Sequence, residues 1–275
     1  MTVTSLLKPS REFRAGALFL AAGVVLTGLY FTLPAGGAAA LAVYESLGAA
    51  ASVAILVGVR RFRPEQRLPW LLLSAGNALF VIGDVLSDIN VSASVPSPSD
   101  CFYLAGYPFL TVALVLLVRS AAGRDLAAAF ADAGIVTCAF ALFQWVFVMG
   151  PAIRGTSGTS AQVVAGLYPA MDIVLLAGFA GFFVSPAWRT PSFGLLAASV
   201  AVFFIGDEIF GLSPNTYRTG DWQDATWMLS YVLFGAAALH PSMRALSMPR
   251  RMATLRVSRV RIGRASCRER VYSNV

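Results

Sequence analysis

Charge is what this sequence has least of. Only 13% of its 275 residues are Asp, Glu, Lys or Arg, against 57% hydrophobic, and the mean hydropathy is +0.70. So little polar surface cannot cover a globule in water, which excludes a soluble domain. Histidine is nearly absent too, with His240 alone, and the three cysteines, Cys101, Cys138 and Cys267, are scattered. Zinc and redox-metal chemistry need three or four clustered ligands, so no metal or other cofactor is expected. Cys101 and Cys138 read as small buried thiols. His240, at the end of the last apolar run, reads as an interfacial anchor or a pH-responsive group.

What is present is a series of apolar windows, each about 20 residues and so long enough to cross a ~30 Å hydrocarbon core. Eight can be placed, near 13–33, 37–59, 69–88, 101–118, 126–149, 161–184, 192–212 and 222–240. Short connections rich in breakers, such as "PAGG" and "NVSASVPSPSD", join them into one packed unit. The expected architecture is all-α, a polytopic bundle of about eight transmembrane helices in four hairpin repeats. Residues 1–12 form a cytoplasmic N-terminal segment, 13–243 the eight-helix domain, 244–261 a basic cytoplasmic linker and 262–275 a non-native tail. Lys8, Arg11 and Arg14 precede the first window and no small-residue cleavage site follows, so that window reads as a retained helix.

Orientation follows from the 21 basic residues. With the N-terminus in the cytoplasm, all but Arg154 and Arg218 fall on the cytoplasmic side, which expects both termini there in a multi-pass plasma-membrane protein. The basic stretch carrying Arg244, Arg250, Arg251, Arg256 and Arg259 would then lie on anionic lipid headgroups. The net charge of +7 is accounted for by topology, and no nucleic-acid partner is expected.

A repeat of about 62 residues runs through the chain, close to one helical hairpin. Tyr44, Tyr107, Tyr168 and Tyr231 mark it, and "FVIGDVL" (80–86) matches "FFIGDEI" (203–209), with Trp145 at the equivalent place between them. Asp100 and Asp224 recur at nearly the same offset. By depth, Glu45, Asp84, Asp172, Asp207 and Glu208 join the four tyrosines in one layer in the outer half of the membrane. Tyr168 with Asp172, and Trp227 with Tyr231, are i, i+4 pairs sharing a helix face. Carboxyl groups at that depth must face the bundle interior or a wet cavity, because exposure to lipid costs at least ~2.5 kcal/mol each.

With no Lys or Arg in the layer, three roles stay open: interhelical hydrogen-bonding glue, an outward-facing site for a small extracellular ligand or ion, or an ion path, for which only Asp132 offers a continuation inward. Tyr44, Glu45, Asp84, Tyr107, Tyr168, Asp172, Asp207, Glu208 and Tyr231 are the candidate ligand-binding residues. No catalytic residue and no metal ligand is named, since neither a nucleophile–base pair nor a metal triad is visible.

"GDEIF" echoes the glycine–acid signature of diguanylate cyclases, but a nucleotide-binding turn cannot form inside a membrane helix. The wider order of motifs is more telling. "GD", then "PSPSDCFYLAGYP", "GLYPAMD" and "GDEIF…TGDWQDATWMLSYVLFGAAALHPSM" together resemble the multi-spanning N-terminal region of actinobacterial cyclic di-GMP signalling proteins, over roughly residues 15–247. In that family the membrane region precedes cytoplasmic GGDEF cyclase and EAL phosphodiesterase domains. The resemblance implies a sensory or anchoring input module. A GGDEF turn on a soluble fold and an EAL sequence are both missing from this chain, so no nucleotide activity is expected of it. A homodimer is left open.

A small secondary transporter or ion-coupled membrane protein is the alternative. It would favour helices broken near the midplane, whereas Pro108 and Pro169 lie near the outer ends. Residues 262–271, "IGRASCRERV", resemble a translated sequencing adapter, which would make Cys267 an artefact. The natural gene is accordingly expected to continue past about residue 261 into a cyclase followed by a phosphodiesterase.

Overall fold

The computed structural model describes residues 11–89, 95–122, 126–180, 190–212 and 216–246. Lys8, Arg250, Arg251, Arg256, Arg259, Cys267, the 262–275 tail and most of the 244–261 linker lie outside them. So do the side chains of Arg11 and Asp132.

Every apolar window forms a helix, because a run without water must satisfy its backbone internally. The order is α1 (Arg11–Tyr30), α2 (Ala38–Phe62), α3 (Leu68–Ile89), α4 (Pro98–Ala122), α5 (Leu126–Phe143), a π-helical segment (Gln144–Met149), α6 (Gly150–Gly155), α7 (Thr159–Ala180), α8 (Pro191–Leu212), α9 (Asp224–Ala238) and α10 (Met243–Leu246). Among the described residues, six helical stretches are long and apolar enough to cross a membrane: Ala38–Phe62, Leu68–Ile89, Pro98–Ser120, Gly134–Gly155, Thr159–Ala180 and Pro191–Leu212. The protein is a helical membrane bundle. Helices α1 and α9 are shorter, and α9 is mostly buried among α1, α2 and α8 rather than facing outward. Both α4 and α7 continue through their prolines, Pro108 and Pro169.

The core is built from Ile55, Trp70, Leu114, Leu117, Leu175 and Leu196, all fully buried. Leu18, Ile135, Leu142 and Phe147 point outward as the apolar faces a bilayer covers. Cys101 and Cys138 are exposed on α4 and α5, not buried as their small apolar thiols suggest. In a membrane protein lipid replaces core as the apolar surroundings, so an apolar residue need not turn inward.

The two ends of the bundle differ. Arg60, Arg61, Arg63, Arg67, Arg119 and Arg244 belong to the end where α2 and α4 finish and α3 begins. The acidic and tyrosine residues gather toward the other, where α1, α3 and α8 finish and α2, α4, α7 and α9 begin. We call this the polar end.

Candidate functional site

Two aspartates organise the polar end. Asp84 on α3 accepts hydrogen bonds from Tyr103 of α4 (2.8 Å) and Tyr231 of α9 (2.7 Å). Asp207 on α8 accepts from Trp227 of α9 (2.8 Å) and Tyr107 of α4 (3.2 Å). The arrangement is reciprocal. Each aspartate takes one donor from the second helix of its own hairpin and one, four residues further on, from the second helix of the other. Tyr103 and Tyr107, like Trp227 and Tyr231, project from one face of their helix toward the two aspartates.

The glycine preceding each aspartate makes this possible. A Cβ on Gly83 would stand 2.6 Å from the Tyr103 ring, and one on Gly206 would stand 3.0 Å from Trp227 Nε1 and overlap Thr226. Glycine lets the aromatic ring cross the helix and reach the carboxyl group one residue later. The repeated Gly-Asp pair is therefore a packing device as much as a polar one.

A second tier lies nearer the helix ends. Asp224, 1% exposed in the first turn of α9, accepts from Tyr30 (2.5 Å), Tyr217 (2.8 Å) and the Gly220 amide (2.7 Å). Asp100, in the first turn of α4, accepts from Tyr168 (2.6 Å) and from the Ser97 amide (2.6 Å) and hydroxyl (3.0 Å). Each carboxylate satisfies loop donors at a helix N-terminus, where a negative charge is favoured, and ties in a tyrosine from another hairpin. Tyr217, outside the spans, has its phenol pushed well above the ordinary value, first by burial and then by the Asp224 charge.

Of the nine residues singled out from the sequence, Asp84, Tyr107, Asp207 and Tyr231 join the reciprocal clamps. Tyr168 turns to Asp100 rather than to Asp172 on its own face. The Tyr44 ring packs between Tyr30 and Tyr231, with centroids 6.1 and 6.2 Å apart. Glu45 sits against Asp88, and neither of its carboxyl oxygens has a hydrogen-bond donor among the described residues. Asp172 sits against Tyr107 and Asp207. Glu208 accepts from Gln144 Nε2 at 2.5 Å.

Gln144 is, with Val148, an interior residue of its segment, 1% exposed, whereas Trp145, the one marked by the repeat, is 61% exposed. The extra residue per turn of the π-helical segment rotates the register there. Tyr30, Tyr103, Asp88 and Gln144 carried no repeat signal, although an isolated glutamine in an apolar run is itself a flag.

Among the described residues, the side-chain donors to these carboxyl groups are uncharged. A cavity of about 10 Å3 is lined mostly by apolar groups such as Phe80, Leu110, Phe203 and Phe234, with Tyr231 of the layer beside them. That is about one water, far from the ~300–1,000 Å3 of organic-ligand sites. Among the described residues no group of three His, Cys, Asp or Glu side chains is placed to hold a metal ion. Comparison with protein-family models, with curated proteins and with solved structures yields no match.

Proposed function

We propose that the chain is the membrane-embedded sensory or anchoring input module of a cyclic di-GMP signalling protein. It crosses the plasma membrane eight times with both termini cytoplasmic, and its polar layer lies in the outer half. The observation that carries the reading is the reciprocal clamp: Asp84 and Asp207 each couple α3–α4 to α8–α9, so a change at the layer shifts two hairpins together. The strings that resemble the signalling family are those that supply Asp84, Asp100, Tyr103, Tyr107, Tyr168, Asp172, Asp207, Trp227 and Tyr231 to this layer.

The test is to fuse the chain through its C-terminal end to a soluble diguanylate cyclase domain and measure cyclic di-GMP in cells. Output that changes in Asp84→Asn or Asp207→Asn, at equal membrane abundance, supports a sensory role. Output identical in all variants removes that role and leaves an anchor. A second reading, an ion-coupled membrane protein, is favoured by one observation: the acceptors around Asp172 that lack donors.

A further inference from the structure

The clamps define a two-fold relationship between chain halves about 124 residues apart: Tyr44 with Tyr168, Asp84 with Asp207, Asp100 with Asp224, Tyr107 with Tyr231. The halves differ at one seam. In the first, α2 packs along α3 and the seam is closed by Asn77, which donates to the Gly48 carbonyl (3.0 Å) and to Ser52 Oγ (2.8 Å), and by Ser74, which donates to the Ser52 carbonyl (3.0 Å). In the second, the counterparts α7 and α8 barely touch. Asp172 stands where the first half has Gly48, Glu208 where it has Val85, and Val200 replaces Asn77.

Around this second seam, three buried oxygens have no hydrogen-bond partner among the described residues: Asp172 Oδ1, Glu208 Oε2 and Gln144 Oε1. Asp172 is 4% and Gln144 1% exposed, so water does not reach them freely. All three can accept. An unsatisfied buried acceptor costs roughly 1–3 kcal/mol, and more when charged, so three near one carboxyl cluster call for something that donates or coordinates. Arg154, the basic residue nearest in sequence to Gln144, is exposed. Carboxyl and amide oxygens are hard ligands, suited to a small cation.

We infer that Gln144, Asp172 and Glu208 form a site for a small monovalent cation, sodium or a hydrated proton. The inference rests on the reading of the polar layer as an input site and names what that site takes. Asp207, already held by Trp227 and Tyr107, positions Asp172 from the side rather than serving as a ligand. The π-helical segment serves the site by turning Gln144 inward.

The experiment is thermal unfolding of the full chain in nanodiscs as sodium chloride replaces N-methylglucamine chloride at constant ionic strength, repeated between pH 5 and 8. For sodium, the midpoint at pH 8 should rise by about 3 °C or more between 1 and 300 mM, as for any ligand that binds only the folded state. Asp172→Asn should abolish the rise, and Gln144→Leu should shift the concentration needed upward by about tenfold or more. For a proton, sodium has no effect, but the midpoint rises as pH falls in the parent and no longer rises in Asp172→Asn, where the opposing loss from His240 is left.

If Asp172→Asn does not fold, Gln144→Leu and Glu208→Gln decide: a cation or pH response unchanged in both overturns the site, as does a parent midpoint insensitive to both sodium and pH. A sodium or proton response with unaltered cyclase output in the fusion assay would sink the input reading and leave the cation site standing.

Discussion

Tyr231 donates to Asp84 at 2.7 Å across 147 residues of chain, joining α9 to α3. Its counterpart, Tyr107 to Asp207 at 3.2 Å, joins α4 to α8 across 100. Interhelical side-chain bonds in membranes average ~0.6 kcal/mol and reach ~1.7. Tyr231→Phe and Tyr107→Phe should each destabilise the bundle by about that range, with the ring packing retained. In a double-mutant cycle, Tyr231→Phe with Asp84→Asn should couple, while Tyr231→Phe with Asp207→Asn should add. Unfolding in mixed micelles measures both, and equal coupling in the two cycles would contradict the pairing.

Gly83 and Gly206 are the next most sensitive positions. An alanine at Gly83 drives a methyl group into the Tyr103 ring, and one at Gly206 into Thr226 and Trp227. Overpacking of this kind costs about 1–3 kcal/mol, and it also pushes the aromatic donors off their aspartates. Gly28→Ala is the control, since nothing lies within 4 Å of its Cβ position. It should be neutral or slightly stabilising, and the same micelle assay separates the three.

The helices were legible because apolar runs of membrane length, cut by "PAGG" or "PSPSD", leave the backbone few alternatives. The layer was legible because carboxyl groups in such runs must turn inward. Pairings were not. Tyr168 and Asp172 share a helix face, yet packing sends one to Asp100 and the other to Asp207, a choice made by neighbouring helices that sequence spacing cannot report. Gln144 was hidden by the π-helical segment, which breaks the 3.6-residue period at that point. The hairpin period was visible through its tyrosines, but the clamps pair halves of twice that length. The difference between the α2–α3 and α7–α8 seams appears only once the helices are packed.

Segregation of the described arginines to one end, with Arg154 and Arg218 as the exceptions, sets up a topological test. Alkaline phosphatase fused after Ala245 should be inactive, and fused after Arg154 or Arg218 active, if the basic end faces the cytoplasm. High activity after Ala245 would invert the proposed orientation and put the polar layer in the inner half.

His240 gives a pH dependence of determined sign. Its Nδ1 accepts the Ser242 amide at 3.1 Å and lies 2.7 Å from Ser242 Oγ, which donates to Ser192 Oγ at 2.9 Å and accepts from the Ser192 amide at 3.0 Å. This knot holds the turn into α10, where Met243 and Leu246 are buried and Arg244 donates to the Phe62 carbonyl. Burial lowers the His240 pKa below its ordinary 6.5. Above 6.5 the ring is neutral both folded and unfolded, and the knot is intact. As pH falls below 6.5 the unfolded chain takes up the proton first, so stability drops, and the loss levels off below the folded value. Protonation of Nδ1 also removes the acceptor for the Ser242 amide. Hydrogen exchange of the 241–246 amides should therefore quicken between pH 7 and pH 5, relative to the amides of α9. In His240→Asn, whose side chain can still accept from the Ser242 amide but does not titrate, the ratio should stay constant. A ratio that changes equally in both proteins would show that carboxyl groups elsewhere, and not His240, govern this end of the bundle.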